Sequence, residues 1–382
     1  MIHCYGVTQQ GSYHVEHDLV CQDAHLYKVI GEQFAIAAVA DGLGSEKYSD
    51  VASKIAVEKA VAFCEEKVTE SSSKEEILEV IKKSFQFAMD EIYKVADETN
   101  NERDQYDTTL VVVVYLKGTV YYGNSGDSGI VVLNQDGTYE ALTTQQRDEN
   151  GYVFPLYFGE EKWVFGEREK VSSVLMATDG MLETLFPFLL RNEKVSIYVA
   201  LAHYLMSEDS LKFADSQDGE VQKKMEAFAA SISPKQVNDD KTILVMLDTK
   251  VEPQRMPEEY YAAPDWAALK KKHDEEFKRA AYPHLYKDET TDKVEETVAE
   301  DNAADEKATS ETTEEVSEEV TNEKVEGKTE ATLEAQTTET SEDSSELETA
   351  ETNAEPDDES SQEKEGTLLG KIIEKTKTIF KK

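Results

Sequence analysis

Cysteine, long apolar runs and the features of a signal peptide are scarce or absent in this chain. Only three of its 382 residues are cysteine, Cys4, Cys21 and Cys64, and their spacing matches neither a zinc site nor a disulfide framework. No apolar run approaches the roughly 18 residues of a membrane-spanning helix. The first residues also lack the basic and then apolar order of a signal peptide. These absences predict a cytoplasmic protein.

Basic residues are also few. The chain carries 40 Lys and Arg against 80 Asp and Glu, a formal net charge of −40. Because nucleic-acid binding depends on Lys and Arg that neutralise phosphates, we expect no nucleic-acid partner. The charge is unevenly distributed, at −20 for residues 1–286, −24 for residues 287–365 and +4 for residues 366–382. The chain therefore divides into three segments that differ in net charge.

The two C-terminal segments have contrasting compositions. Residues 287–365 contain no Phe, Trp or Tyr and are dominated by Glu, Thr, Ser and Ala. Such a segment buries too little apolar surface to offset its chain entropy, which predicts a disordered acidic linker. In residues 366–382, GTLLGKIIEKTKTIFKK, apolar residues recur at helical spacing with most lysines opposite them. This predicted basic amphipathic helix can dock on a partner, on the folded domain or on an anionic membrane surface.

Residues 1–250 show the patterns of one mixed domain. Apolar periodicity predicts helices at 49–67 and 74–98, and a further helix from 181 that Pro187 disturbs. Apolar runs predict strands at 108–116, 119–124, 128–133, 171–177 and 242–248, with a loop-bearing region at 145–170. Strands, then helices, then strands indicate an α+β fold. Residues 251–286 form a predicted appended helical segment, which either packs on the domain or stands apart.

Four short motifs place an aspartate at or just beyond the end of an apolar, strand-like run: CQDA at 21–24, VADGLG at 39–44, ATDG at 177–180 and VNDDKT at 237–242. Each motif alone is more often an ordinary turn, because Asp-Gly is a common turn pair. If the fold brings the motifs together, however, their carboxylates repel one another unless cations or hydrogen bonds satisfy them. Oxygen ligands of this kind suit Mg²⁺ or Mn²⁺.

The order of these motifs resembles that of the protein phosphatase 2C family, the metal-dependent serine/threonine phosphatases. DTTLVVVVYL at 107–116 and VYYGNSGDSGIVVL at 120–133 extend the likeness, which runs from about Gly6 to Asp248. GSYHVEHDLVCQDAH at 11–25 looks most like the bacterial branch. The resemblance implies an antiparallel β-sandwich flanked by helices, an α-β-β-α architecture, with the site at one end. Residues 1–250 would then be the phosphatase catalytic domain.

The resemblance also implies a centre of two Mg²⁺ or Mn²⁺ ions. Asp41 would bridge the two ions, and the Gly42 carbonyl would bind one of them. Asp179 and Asp239 would bind the other ion, while Asp23 would reach a metal through water. The four aspartates are the residues expected to act in catalysis.

Two further acidic residues are implied as ligands. Asp127, in the Gly-Asp-Ser turn, matches the family's position for a third, weaker metal. Glu183 follows Asp179 by four residues, where the family has an acidic partner for that ion. On a helix beginning near 180, this spacing puts Glu183 on the same face as the strand end.

The sequence departs from the family at three positions. Asp18 stands where many relatives have an arginine that binds the substrate phosphate, and His14 is the predicted phosphate-binding replacement, with His17 or the metals alone as alternatives. Leu43 stands where some relatives have a histidine proposed as general acid. Because leucine cannot donate a proton, a metal-bound water would have to protonate the leaving group. Gln22 replaces an acidic residue of some relatives, and its amide can still orient a water.

These residues predict hydrolysis of phosphoserine and phosphothreonine in proteins by a hydroxide that bridges two Mg²⁺ or Mn²⁺ ions. Phosphorylated proteins are the expected partners, with a cognate kinase as counterpart. One alternative is a catalytically inactive phosphatase-like module that binds phosphorylated partners, and another is a phosphatase for a small phosphorylated molecule. Because Asp41, Asp179 and Asp239 are all present, the sequence favours an active enzyme.

Overall fold

The computed structural model describes residues 1–208 and 218–283. They fall into two units. The first contains Met1–Asp274, and the second begins at Glu275 and is described as far as residue 283. The predicted acidic linker at 287–365 and the predicted basic helix at 366–382 lie outside the described residues.

The described residues form two five-stranded sheets in which every neighbouring pair is antiparallel. In chain order the strands are β1 Ile2–Gln9, β2 Asp23–Gly31, β3 Phe34–Asp41, β4 Leu110–Leu116, β5 Thr119–Ser125, β6 Gly129–Asn134, β7 Tyr139–Ala141, β8 Val164–Arg168, β9 Val171–Ala177 and β10 Lys241–Asp248. One sheet has the order β1-β10-β9-β6-β7, and the other has the order β2-β3-β4-β5-β8. The first and last strands of the domain are therefore neighbours.

The apolar run of β3 explains how the two sheets stack. Successive side chains of a strand point to opposite faces, so a strand that is apolar at every position can be buried on both. Ala35 and Val39 lie between the two sheets in a cluster that includes Met176 of the other sheet. Ile36 and Ala38 lie in the cluster on the opposite face, with the helices. The predicted sandwich is confirmed.

Helices cover both outer faces of the sandwich. Their bounds are α1 Ser12–Glu16, α2 Ser49–Lys67, α3 Lys74–Glu98, α4 Asp179–Leu185, α5 Val199–Met206, α6 Asp218–Ser231 and α7 Trp266–Ala281. Short 3₁₀ helices occur at Arg103–Tyr106, Leu156–Phe158, Phe188–Leu190 and Glu258–Tyr261. The apolar faces of α2 and α3 pack on the sheet that contains β3. Those of α4, α5 and α6 pack on the sheet that contains β1. The α-β-β-α layering is therefore as predicted.

Local signals explain where the helices begin and end. Ser73 caps α3 by accepting from the Glu76 N–H, and the Glu76 carboxylate accepts from the Ser73 N–H in return. The observed bounds of α2 and α3 confirm the predicted ones. Helix α4 ends at Leu185, two residues before Pro187, which lacks the N–H that a continuing helix needs.

Residues 251–274 add to the layer of helices that packs on the sheet containing β1. The Gln254 N–H donates to the Gln135 carbonyl at 2.8 Å, and the Tyr139 N–H donates to Tyr260 Oη at 3.0 Å. The Trp266 ring meets the ring of Tyr198 edge to face, with centroids 5.1 Å apart. This part of the appended segment packs on the domain. None of the described helices combines the length and hydrophobicity needed to cross a lipid bilayer.

Candidate metal centre

Strand β3 ends at Asp41, and the start of β4 holds that end in place. The Asp41 N–H donates to Thr109 Oγ1 at 2.9 Å. The Asp41 carbonyl accepts from the Thr109 N–H at 2.8 Å and from Thr108 Oγ1 at 2.9 Å. The paired threonines of the DTTL motif therefore fix the backbone that carries the Asp41 carboxylate.

The Gly-Asp-Ser turn packs against the same threonine. Gly126 has a φ of +104°, and a Cβ at this position would lie 2.5 Å from Thr109 Cγ2, so the close approach requires glycine. Ser128 Oγ lies 3.1 Å from Thr109 Oγ1. These contacts hold the turn that carries Asp127, a side chain only 2% exposed.

Three carboxylates meet at this end of the sandwich. Asp41, Asp127 and Asp179 each offer a carboxylate oxygen, and these oxygens all lie within 4.8 Å of one another. Asp179 is the first residue of α4 and follows β9. Three of the residues predicted as metal ligands, distant in sequence, are therefore neighbours in space.

Arg147 is a basic side chain that the sequence analysis did not identify. Its Nη2 lies 2.5 Å from Asp127 Oδ2 and donates to Asp179 Oδ2 at 2.9 Å. The side chain remains 37% exposed. Arg147 lies in the connection between β7 and β8 and belongs to no motif, so its sequence context carries no signal of this position.

Asp23 lies opposite Asp41 in the register of β2 and β3. Its Oδ2 accepts from Thr178 Oγ1 at 2.8 Å. Its Oδ1 is buried and has no hydrogen-bond partner among the residues of 1–208 and 218–283. A buried carboxylate oxygen without a partner is unfavourable. This atom therefore fits a site that a hydrated cation completes.

A second acidic group lies at the start of β10, where His14, Asp239 and Asp240 place ligand atoms within 4.8 Å of one another. The buried Asp240 accepts from the Gly11 N–H at 2.6 Å and from the Gln22 N–H at 2.7 Å. His14 Nδ1 lies 2.9 Å from Asp240 Oδ2. Asp240 therefore anchors the segment around α1 to β10. Asp240 has no predicted role, although VNDDKT contains two aspartates.

The predicted roles of His14 and Asp239 remain predictions. His14 is 5% exposed, and the structure places its ring beside Asp240. Asp239 is exposed and is not in the group formed by Asp41, Asp127 and Asp179. Partial desolvation of its carboxylate and repulsion from Asp179 nevertheless raise the pKa of Asp239, which indicates that the two carboxylates influence one another.

Glu183 and Gly42 lie close in sequence to two of the three clustered carboxylates, Asp179 and Asp41. Glu183 is on α4, and burial together with repulsion from Asp179 raises its pKa. The Gly42 N–H donates to the Gln22 carbonyl at 3.1 Å. The loop after β3 is therefore tied to the CQDA motif.

The electrostatics of the group favour a bound cation. Burial and repulsion from Asp23 and Asp179 raise the pKa of Asp41 well above its ordinary value. Burial and repulsion from Asp240 do the same for Asp23. Burial and repulsion from Asp179 raise the pKa of Asp127 to about 6, although Arg147 opposes the shift. Since a divalent cation would remove this repulsion and all the donors are oxygens, the residues fit a hard divalent cation.

Replacing Gly42 by alanine tests the packing behind the centre. A Cβ at Gly42 would lie 2.6 Å from the Ser49 carbonyl oxygen, so Gly42→Ala should lower the free energy of unfolding by about 1–3 kcal/mol. Urea denaturation measures the change. Gly44→Ala is the control, because a Cβ there meets only Gln22 Oε1, at 3.8 Å. Equal stability of the two variants would contradict this view of the loop.

Comparison with known proteins supports one family. The sequence model of the family described as Protein phosphatase 2C matches residues 10–228. Among solved structures, the chain resembles a bacterial serine phosphatase with 14% identity and a TM-score of 0.46, covering 67% of this chain and 100% of that one. No curated protein sequence matches the chain.

Two further solved structures are similar. One is the serine/threonine phosphatase Stp1 from Staphylococcus aureus, with 16% identity and a TM-score of 0.43, covering 65% of this chain and 95% of that one. The other is the Mycobacterium tuberculosis phosphatase PstP/Ppp, with 16% identity and a TM-score of 0.43, covering 64% of this chain and 98% of that one. The family match spans more than half of the sequence, including Asp23, Asp41, Asp127 and Asp179. The chain therefore belongs to the protein phosphatase 2C family and is a protein phosphatase.

Proposed function

We propose that this protein hydrolyses phosphoserine and phosphothreonine in proteins at a centre of two Mg²⁺ or Mn²⁺ ions. The observation that carries the proposal is the convergence of Asp41, Asp127 and Asp179, whose carboxylate oxygens lie within 4.8 Å of one another. When bound, two such cations supply charge neutralisation at the phosphoryl oxygens and lower the pKa of water. The chain's own residues hold the cations, the substrate phosphate and the water in place.

Each ligand has a proposed place in the centre. Asp41, at the end of β3, would be a ligand to both ions, and the Gly42 carbonyl would bind one of them. Asp179 and Asp239 would bind the other ion. Asp23 acts through its unpartnered Oδ1, which is suited to hold a water by a hydrogen bond. Asp127 would bind a third, weaker ion. Glu183 would be a further acidic partner for the ion that Asp179 binds.

Arg147 supplies the phosphate-binding cation that the family's N-terminal arginine provides elsewhere. A guanidinium group offers a planar fork of donors that matches phosphate oxygens. Arg147 contacts Asp127 and Asp179 at 2.5 and 2.9 Å, so its charge lies at the carboxylates that would hold the metals. It is also partly exposed, which a substrate-binding group requires. His14 is the second candidate, but its ring is buried beside Asp240.

Partners follow from this activity. Phosphorylated proteins are the proposed substrates, and a cognate kinase is the enzyme proposed to phosphorylate them. The inactive phosphopeptide-binding module is the second candidate function. An intact set of carboxylates speaks against it, because loss of ligands is the change expected in a module that retains only binding.

A turnover assay tests the proposal. We expect the protein to hydrolyse para-nitrophenyl phosphate and a phosphothreonine peptide with Mn²⁺ or Mg²⁺, and to lose this activity on removal of the metal with EDTA. Peptide binding without turnover in any metal would favour the binding module. Activity on small phosphomonoesters but on no phosphopeptide would favour a small-molecule phosphatase.

A further inference from the structure

A groove of about 700 Å³ lies beside the metal centre. Its walls come from β6, β7 and the residues after β7 on one side, and from α4 and the following 3₁₀ helix on the other. Apolar side chains form much of the lining: Ala141, Leu182, Phe186 and Phe188. Hydroxyl and amide groups of Thr143, Thr144 and Gln145 lie among them. Apolar walls with a few polar groups are typical of a binding site.

Two chain segments connect the groove to the Gly-Asp-Ser turn of the metal centre. Gly129 lines the groove two residues after Asp127. Gln145 lines it next to Gln146, which accepts from the Gly126 N–H at 2.8 Å and donates its own N–H to the Gly126 carbonyl at 3.2 Å. The groove therefore adjoins the turn that carries one of the three clustered carboxylates.

Helix α4 provides a further connection. Glu183 lines the groove and belongs to α4, the helix that begins at Asp179. Asp179 and Glu183 lie one helical turn apart on α4, so this wall of the groove begins within one turn of a clustered carboxylate.

The groove also contains an exposed cation. Arg191 lines it and lies over the ring of Phe188, with Cζ 5.4 Å from the ring centroid. Arg191 forms no ion pair with any carboxylate in residues 1–208 or 218–283. Phe188 itself is 55% exposed. Although residues 1–286 carry a net charge of −20 and Glu183 also lines the groove, the Arg191 guanidinium can pair with an acidic group of an occupant. The exposed ring of Phe188 can contact an apolar group.

We propose that this groove binds the part of the phosphoprotein substrate that flanks the phosphorylated residue, and that it selects an apolar residue together with an acidic residue facing Arg191. This inference rests on the proposed phosphatase activity, because it places the substrate phosphate at the metal centre proposed around Asp41 and Asp179. The occupant is an extended segment of a phosphorylated partner. Such a segment advances roughly 3.3 Å per residue, so residues within a few positions of the phosphate reach the groove.

A scanned set of phosphothreonine peptides tests the inference with the full chain. Each peptide carries one Glu, Lys, Leu or Ser at one of five positions on either side of the phosphothreonine, in an alanine background. We expect Glu to exceed Lys by about fivefold in kcat/KM at one or two positions, and Leu to exceed Ser by about tenfold at a neighbouring position. Arg191→Glu should reverse the preference between Glu and Lys.

Two controls make the result specific to the groove. Lys194→Glu makes the same change of charge three residues away, at an exposed side chain outside the groove lining, and should keep the wild-type preference. Peptides with a non-hydrolysable phosphonate report the same preferences as dissociation constants by fluorescence anisotropy, independently of turnover.

The outcomes separate the groove from the activity. Equal affinities for all peptides, or a preference unchanged in Arg191→Glu, would overturn the groove proposal even if the enzyme is active. A clear preference in affinity without turnover would support the groove and contradict the phosphatase activity. Displacement of the phosphonate peptide by a synthetic 366–382 peptide at similar concentration would reassign the groove to the chain's own C-terminal segment.

Discussion

Asp41→Asn should lower kcat/KM on phosphopeptides by about 10³-fold or more, which corresponds to roughly 4 kcal/mol of transition-state stabilisation. Asp41 lies at the end of β3, beside Asp127 and Asp179, and its backbone is held by Thr108 and Thr109. The amide keeps the size of the side chain but removes the negative charge, so the proposed shared ligand of the cations would be lost. Steady-state assays in Mn²⁺ measure the effect.

Metal binding itself provides a second measurement of this variant. A cation that binds only the folded state stabilises it by about 2.7 kcal/mol at 100 times its Kd, which raises the Tm of the wild type by roughly 5–10 °C. Asp41→Asn should lose most of this increase. Because burial and neighbouring carboxylates raise the pKa of Asp127 to about 6, that group is protonated at lower pH and binds a cation poorly. The wild-type increase should therefore be larger at pH 7.5 than at pH 5.

The matched control is Asp136→Asn. Asp136 is also followed by glycine, but it lies in the turn between β6 and β7 and accepts from the Thr138 N–H at 3.0 Å. This variant should retain the activity and the metal-induced increase in Tm. Turnover that survives Asp41→Asn would contradict the assignment of the centre.

Arg147→Ala should lower kcat/KM by about 10- to 100-fold, because hydrogen bonds to charged groups contribute about 1.5–3 kcal/mol each. The inhibition constant of inorganic phosphate should rise by a similar factor, since the same guanidinium group would bind the product. Arg147→Lys retains the charge but not the fork of donors, so its activity should be intermediate.

Arg168→Ala controls for the loss of a partly exposed arginine. Arg168 is 42% exposed and pairs with Glu140 at 2.7 Å, away from the three carboxylates, and its replacement should leave kcat/KM unchanged. If Arg147→Ala strengthens Mn²⁺ binding but leaves phosphate inhibition unaltered, Arg147 serves as a counter-charge for Asp127 and Asp179. Its proposed contact with phosphate would then be wrong.

The elements that the sequence predicted well are those with strong local signals. Helices α2 and α3 show a regular apolar period, and α3 has a capping box at Ser73 and Glu76. The apolar runs of β4 and β9 are buried at every position. Strand β8 was not distinguished within the region predicted as loop-bearing. It lies at the edge of its sheet and is only partly buried, so its sequence, VFGER, lacks a clear alternation.

The candidate site likewise contains residues that the sequence predicts and residues that it does not. Asp41, Asp127 and Asp179 follow apolar strands in recognisable motifs, and the structure brings them together. Arg147 follows no such strand. Its place beside the carboxylates could not be predicted, because it depends on how the connection between β7 and β8 folds. Asp240 was overlooked because its partners, the N–H groups of Gly11 and Gln22, are more than 200 residues away in the chain.

The pairing of the domain's two terminal strands affects when activity arises during biosynthesis. Ile2 pairs with Asp248 and Gln9 with Lys241, so the last strand of the described residues completes the sheet that the first strand began. Such distant pairings form late, because the whole intervening polypeptide must first be available. A nascent chain can contain Asp23, Asp41 and Asp179 and still lack Asp239 and the strand that anchors it. Chains that end before β10 should therefore leave β1 without its neighbour in the sheet, and we expect them to show no hydrolytic activity.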